Sequence, residues 1–88
     1  MSWTVELTPD AARAVRKLDP PISRKIRRAL AALETLEDPR ARGMALTGVL
    51  RGLWRYRVGD YRIVCDLIDD RIVVLVVDVG QRSTIYND

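Results

Sequence analysis

Six arginines, Arg40, Arg42, Arg51, Arg55, Arg57 and Arg62, fall between residues 40 and 62, a stretch whose only carboxylate is Asp60. Guanidinium groups stay protonated at ordinary pH and fork onto phosphate oxygens. Their chemistry is anion recognition and stabilisation of developing negative charge, not proton abstraction. Near the C-terminus, Arg82 adds another cation and Tyr86 a ring on which a base can stack. The chain has no histidine. That excludes His-based nucleophile triads, zincin sites and histidine-based ribonuclease chemistry. A single cysteine, Cys65, excludes an internal disulfide and a multi-cysteine zinc site. Asp69-Asp70 reads as a turn, with too few nearby carboxylates for a metal. No metal or cofactor is expected.

The net charge is only +3, from 15 basic and 12 acidic residues, but thirteen of the cations precede residue 63. A basic region of this kind suits a polyanion such as nucleic acid. Arg24, Arg27 and Arg28 form a second basic group upstream. With 88 residues, 48% of them hydrophobic and 31% charged, the chain is expected to form one globular domain spanning 1–88. No apolar run approaches the ~20 residues of a membrane span. The N-terminal residues carry no basic stretch followed by an apolar one. With the lone cysteine, this leads us to expect a cytoplasmic protein.

The elements that position these residues follow from periodicity. Trp3–Leu7 alternates as a strand does. Thr8-Pro9 signals a helix start, with Thr8 as cap and Pro9 at the first helical position. Asp19-Pro20-Pro21 stops that helix and opens a second. There Ile22, Ile26, Ala29, Leu30, Leu33 and Leu36 recur at helical spacing until Asp38-Pro39. Residues 39–52 show no firm period and read as a loop with a short turn near Met44–Leu46. Leu53–Val58 and Tyr61–Leu67 flank Gly59-Asp60, a two-residue hairpin signal. Arg71–Val79 is an almost continuous β-branched run ended by Gly80, as in a strand buried on both faces. The predicted class is α+β: an antiparallel helical hairpin on a small, mainly antiparallel four-stranded sheet, in the order β-α-α-β-β-β.

The hairpin sets a register. Val58 faces Tyr61, Arg57 faces Arg62, Tyr56 faces Ile63 and Arg55 faces Val64. Alternation then places Trp54, Tyr56, Val58, Tyr61, Ile63 and Cys65 on a core face. Arg55, Arg57 and Arg62 share the opposite face, exposed, with Asp66 further along. Like charges directly opposed destabilise a sheet, and a bound phosphate backbone is the simplest compensation. Screening by solvent, or pairing with Asp66, Asp78 or a partner protein, would also account for them.

The run Leu53–Val64 (Leu-Trp-Arg-Tyr-Arg-Val-Gly-Asp-Tyr-Arg-Ile-Val) resembles a signature of the RelE/ParE toxin superfamily. Asp70–Arg82, followed by Tyr86, resembles its second signature, and Leu46–Leu53 is similar to the family's loop before the sheet. The resemblance implies a RelE-like toxin held inactive by a RelB-like antitoxin encoded nearby. RelE-like members enter the ribosomal A site and cut mRNA. The 2′-hydroxyl attacks the adjacent phosphate and leaves a 2′,3′-cyclic phosphate and a 5′-hydroxyl. ParE-like members instead inhibit DNA gyrase and cut nothing. By resemblance the catalytic positions are Arg57, Arg62, Arg82 and Tyr86. Arg55, Arg51 and the helix residues Arg24, Arg27 and Arg28 are expected to contact RNA. Three departures stand out: Arg57 replaces a lysine of some relatives, Gln81 replaces a common histidine, and the Arg82–Tyr86 spacing is two residues short.

Overall fold

Local chemistry starts the first helix where expected. In the computed structural model, which describes residues 2–81, Thr8 Oγ1 accepts the Ala11 N–H at 3.1 Å and Pro9 occupies the first turn of α1 (Pro9–Arg16). α1 follows β1 (Thr4–Leu7), and α2 (Pro20–Leu33) opens on its own prolines after the break at Leu18-Asp19. α2 does not continue to Asp38. Its last turn tightens into i→i+3 bonds, and the Thr35 hydroxyl donates to the Ala32 carbonyl at 2.7 Å. Glu34 turns aside, and its carboxylate accepts the Val5 N–H at 2.8 Å, closing off the outer edge of β1.

Residues 39–52 are more structured than a loop. They contain 3₁₀ turns at Pro39–Ala41 and Gly48–Leu50 and a two-residue strand, β2 (Met44–Ala45). β3 (Trp54–Val58), β4 (Tyr61–Ile68) and β5 (Val73–Gln81) follow. The sheet is therefore five-stranded, not four-stranded, in the order β1-β5-β4-β3-β2. β2 escapes detection because two residues establish no period. β1 pairs parallel to β5 and the other pairings are antiparallel, so the sheet is mixed as anticipated.

β5 begins later and ends later than its β-branched run suggests. Overlapping turns carry the chain from Ile68 to Ile72, which adopts φ +56°, a left-handed conformation costly for a β-branched residue. The strand then crosses Gly80 to pair with β4 as far as Gln81. Val64 pairs with Asp78 but Cys65 with Val76, so Val77 is an extra residue forming a bulge. The bulge flips the alternation. Val74, Val76 and Val79 all reach the core side although their spacing breaks period two.

The core lies between the helices and one sheet face. Ala11 and Val15 of α1 and Ile26, Leu30 and Leu33 of α2 pack with Tyr56, Ile63, Cys65, Val74 and Val76. Trp54, Val58 and Tyr61 are half-buried against the same cluster. Each of these residues of the β3–β4 hairpin falls on the face its register assigns to the core.

Candidate nucleic-acid interface

The register is the one the two-residue turn dictates: Val58↔Tyr61, Arg57↔Arg62, Tyr56↔Ile63, Arg55↔Val64 and Trp54↔Cys65. The tight turn relies on Gly59 at φ +58°. Arg55, Arg57 and Arg62 therefore share the face turned away from the helices. Their environments differ. Arg57 is exposed, Arg55 half-buried, and Arg62 only 1% exposed. The burial of Arg62 corrects the expectation of three exposed arginines. Arg62 lies on β4, the central strand of the five, with Arg57 opposite on one side and Gly80 on the other. A charge buried there is poorly screened, so it acts more strongly on an anion nearby than a solvated one would. Arg57 forms no ion pair among the described residues. Pairing with Asp66 or Asp78 does not account for it.

The loop before the sheet is pinned to β3 by the aromatic residues of that strand. The Trp54 indole donates to the Arg42 carbonyl at 2.7 Å, and the buried Tyr56 hydroxyl donates to the Pro39 carbonyl at 2.7 Å. Arg40 forks onto Asp69 at 2.9 and 2.8 Å, tying the loop to the turn between β4 and β5. The hydrogen bond from Arg40 lowers the Asp69 pKa, and Asp69 raises that of Arg40. One cation of the arginine-rich stretch is thus already neutralised. Burial raises the Tyr56 hydroxyl well above its ordinary value and pushes the Cys65 thiol up to about 12. Neither group is suited to act as a base or nucleophile near neutral pH.

The remaining candidates scatter. Arg51 is exposed in the segment leading into β3. Arg24, Arg27 and Arg28 are on α2, on the other side of the sheet from Arg57. At 100° per residue, Arg24 and Arg28 lie opposite the Ile26–Leu30–Leu33 stripe, and Arg27 lies on its flank. Arg27 lines a groove beside Val5 and Leu7, at the β1 edge. The structure therefore does not bring the α2 arginines to the arginine face. Arg82 and Tyr86 lie outside the described residues.

Two cations outside the candidate site residues, Lys25 and, from the arginine-rich stretch, Arg42, stand closer to β3. Arg42 lines an open cleft between α2 and the outer edge of β3, with Ala29, Leu33, Tyr56, Arg57 and Val58. Lys25, on the opposite flank of α2 from Arg27, has its Nζ 3.8 Å from where a Cβ on Gly59 would stand. The flank on which Lys25 lies was available from its position next to Ile26. The position of Arg42 depends on loop contacts that no period reveals.

Two helices packed on one face of a five-stranded mixed sheet form the fold of the RelE-like toxins. A family model described as the ParE toxin of the parDE type II toxin–antitoxin system matches residues 5–86. The chain belongs to the RelE/ParE toxin superfamily and is a toxin of the RelBE type. It is 30% identical over 91 residues to the mRNA interferase toxin RelE of Escherichia coli K12, covering all of this chain and 94% of that protein. The toxin–antitoxin complex RelBE2 of Mycobacterium tuberculosis contains a chain similar to it at TM-score 0.83 and 28% identity, covering 93% of this chain and 100% of that one. The archaeal RelE–RelB complex of Pyrococcus horikoshii OT3 shares the fold at TM-score 0.73 and 24% identity, covering 96% and 99%.

Proposed function

We propose that this toxin is a ribosome-dependent mRNA endoribonuclease that blocks translation. The observation that carries the reading is the opposed pair Arg57 and Arg62, with Arg55 on the same face. Two guanidiniums side by side form a fork that suits an anion. A phosphate in the act of transfer is such an anion. In the reaction the 2′-oxygen attacks phosphorus, the bond from phosphorus to the 5′-oxygen breaks, and a 2′,3′-cyclic phosphate and a 5′-hydroxyl result. The 2′-hydroxyl loses its proton and the departing 5′-oxygen gains one. Charge accumulates on the non-bridging oxygens in between. Arg57 meets that charge from the surface, Arg62 from beneath, and Arg82 from the segment after β5. This is electrostatic catalysis. Tyr86 stacks on or orients a nucleotide, and Arg55 and Arg51 hold flanking phosphates. With arginine at position 57 and no histidine, the base is Tyr86, the message itself, or absent.

The name of the E. coli relative, an mRNA interferase, supports this reading. The match to a ParE family model supports the other: a DNA gyrase inhibitor in which the same arginines are recognition residues. An antitoxin of the RelB type, encoded nearby, would cover the basic face with carboxylates of a segment that folds on binding. The solved complexes of related toxins support that partner. The protein would act in the cytoplasm, where ribosomes are, and no helix among the described residues is long and apolar enough to cross a membrane. Primer extension on a message in a translating extract tests the choice. Cuts that require both the protein and ribosomes are expected. Intact message together with blocked gyrase supercoiling would replace the nuclease with the inhibitor.

A further inference from the structure

The outer edge of β3 carries a cation at each end. At the hairpin end, Lys25 reaches Gly59 from α2. At the loop end, Arg42 borders the cleft, its carbonyl held by the Trp54 indole at 2.7 Å. Arg57 lies between them and also borders the cleft, whose floor is the apolar flank of α2 with Val58. Both end cations are exposed, and neither forms an ion pair among the described residues. Residues 39–59 contain no carboxylate, and Arg40 pairs with Asp38 and Asp69. Asp60 lies at the hairpin tip, next to Gly59.

We infer that Lys25 and Arg42 bind backbone phosphates of the RNA on either side of the nucleotide at Arg57, so that the substrate strand runs along the outer edge of β3. The inference rests on the nuclease reading and adds to it the path of the strand. RNA is the occupant because the track is continuous with the arginine face and because a chain of phosphates supplies anions at both ends. Contacts of this kind position the substrate without touching the reacting bonds. The arginines expected to do this from α2 lie elsewhere, and Lys25 is that helix's contribution.

The test is single-turnover cleavage on stalled ribosomes over a range of toxin concentrations. Lys25→Ala with Arg42→Ala should raise the half-saturating concentration roughly tenfold, the loss expected for two charge-assisted contacts at a wet surface. The maximal rate should change less than about twofold. The salt dependence of binding should become shallower by roughly one to one and a half in log–log slope. Lys25→Arg with Arg42→Lys should restore affinity, which a merely structural role would not predict. Arg16→Ala with Lys17→Ala removes the same charge from the end of α1 and should leave half-saturation unchanged. An equal loss in that control, or no shift in the first variant, overturns the proposal. So does a loss confined to binding of an acidic antitoxin peptide, which would assign the cleft to that partner. If the unaltered protein cuts no message, the nuclease reading fails first. Fluorescence anisotropy with a short single-stranded RNA then decides the track separately: weaker binding by the double variant supports it and equal binding ends it.

Discussion

Replacing Gly43 by alanine should damage this fold more than the same change at Gly48, Gly52 or Gly59. Gly43 adopts φ +76°, and a Cβ there would overlap the Arg55 carbonyl oxygen and come within 2.7 Å of Trp54 Nε1 and 2.9 Å of Tyr56 Cδ1. The left-handed conformation alone costs a residue with a Cβ about 1–2 kcal/mol. The clash adds to that, because the nearest atom is backbone in a paired strand and cannot swing aside. Relief requires the loop to lift, which breaks the hydrogen bond from Trp54 to Arg42, worth about 1 kcal/mol at a half-exposed site. The total is about 3 kcal/mol, against a stability of ~4–13 kcal/mol for a chain of this length. A fall in melting temperature of roughly 12–20 °C follows. Gly48→Ala is the control. Gly48 has φ +68° but nothing within 4 Å of where its Cβ would stand, so only the conformational cost of about 1–2 kcal/mol applies. Urea denaturation of both variants, with the slope checked for constancy, measures the difference. Equal destabilisation by the two alanines would refute the claim that the loop is clamped against β3.

Three further outcomes are expected. Arg57→Thr should leave stability unchanged or raise it by up to ~1 kcal/mol, since it removes a like charge opposite Arg62 and adds a strand former. The same change should lower cleavage roughly 10²–10³-fold; thermal melts beside single-turnover cleavage would show it, and a destabilised protein or full activity contradicts the assignment. Tyr56→Phe leaves the Pro39 carbonyl without its 2.7 Å donor and should cost about 1–2 kcal/mol in urea denaturation. Cys65, with its folded pKa raised to about 12 from an ordinary 9.0, should resist a thiol reagent at pH 8 until the protein unfolds. Its raised folded pKa stabilises the fold below pH 9, and that contribution is lost as pH rises from about 9 toward 12; denaturation curves for the protein and Cys65→Ala across that range should converge.

What was legible in the sequence is what short-range geometry decides. Gly59-Asp60 set the hairpin register, and the register set both faces, which is why Tyr56 and Ile63 are in the core and Arg57 is not. Thr8-Pro9 marked the start of α1 because a cap needs only its own turn. The misses are mostly long-range. β2 exists because two residues find an edge of β3. The bulge at Val77 depends on how β4 and β5 fit together. α2 stops early because Thr35 and Glu34 turn their side chains to the Ala32 carbonyl and the Val5 N–H. The burial of Arg62 on the central strand is not something a hairpin alone reveals.

The proposed site stands out for a different reason: it breaks a rule that the rest of the hairpin keeps. Each described residue on the helix side of the β3–β4 hairpin agrees with its neighbours in polarity, while the face away from the helices sets Arg57 against Arg62 across a ladder. Natural sequences concentrate such local conflicts at functional sites. Arg62 is buried at 1% exposure and Arg57 is exposed, so an anion between them would meet one guanidinium in a poorly screened setting and one at the surface. In the nuclease proposed above, that pair would hold a phosphate gaining negative charge more strongly than the message before attack.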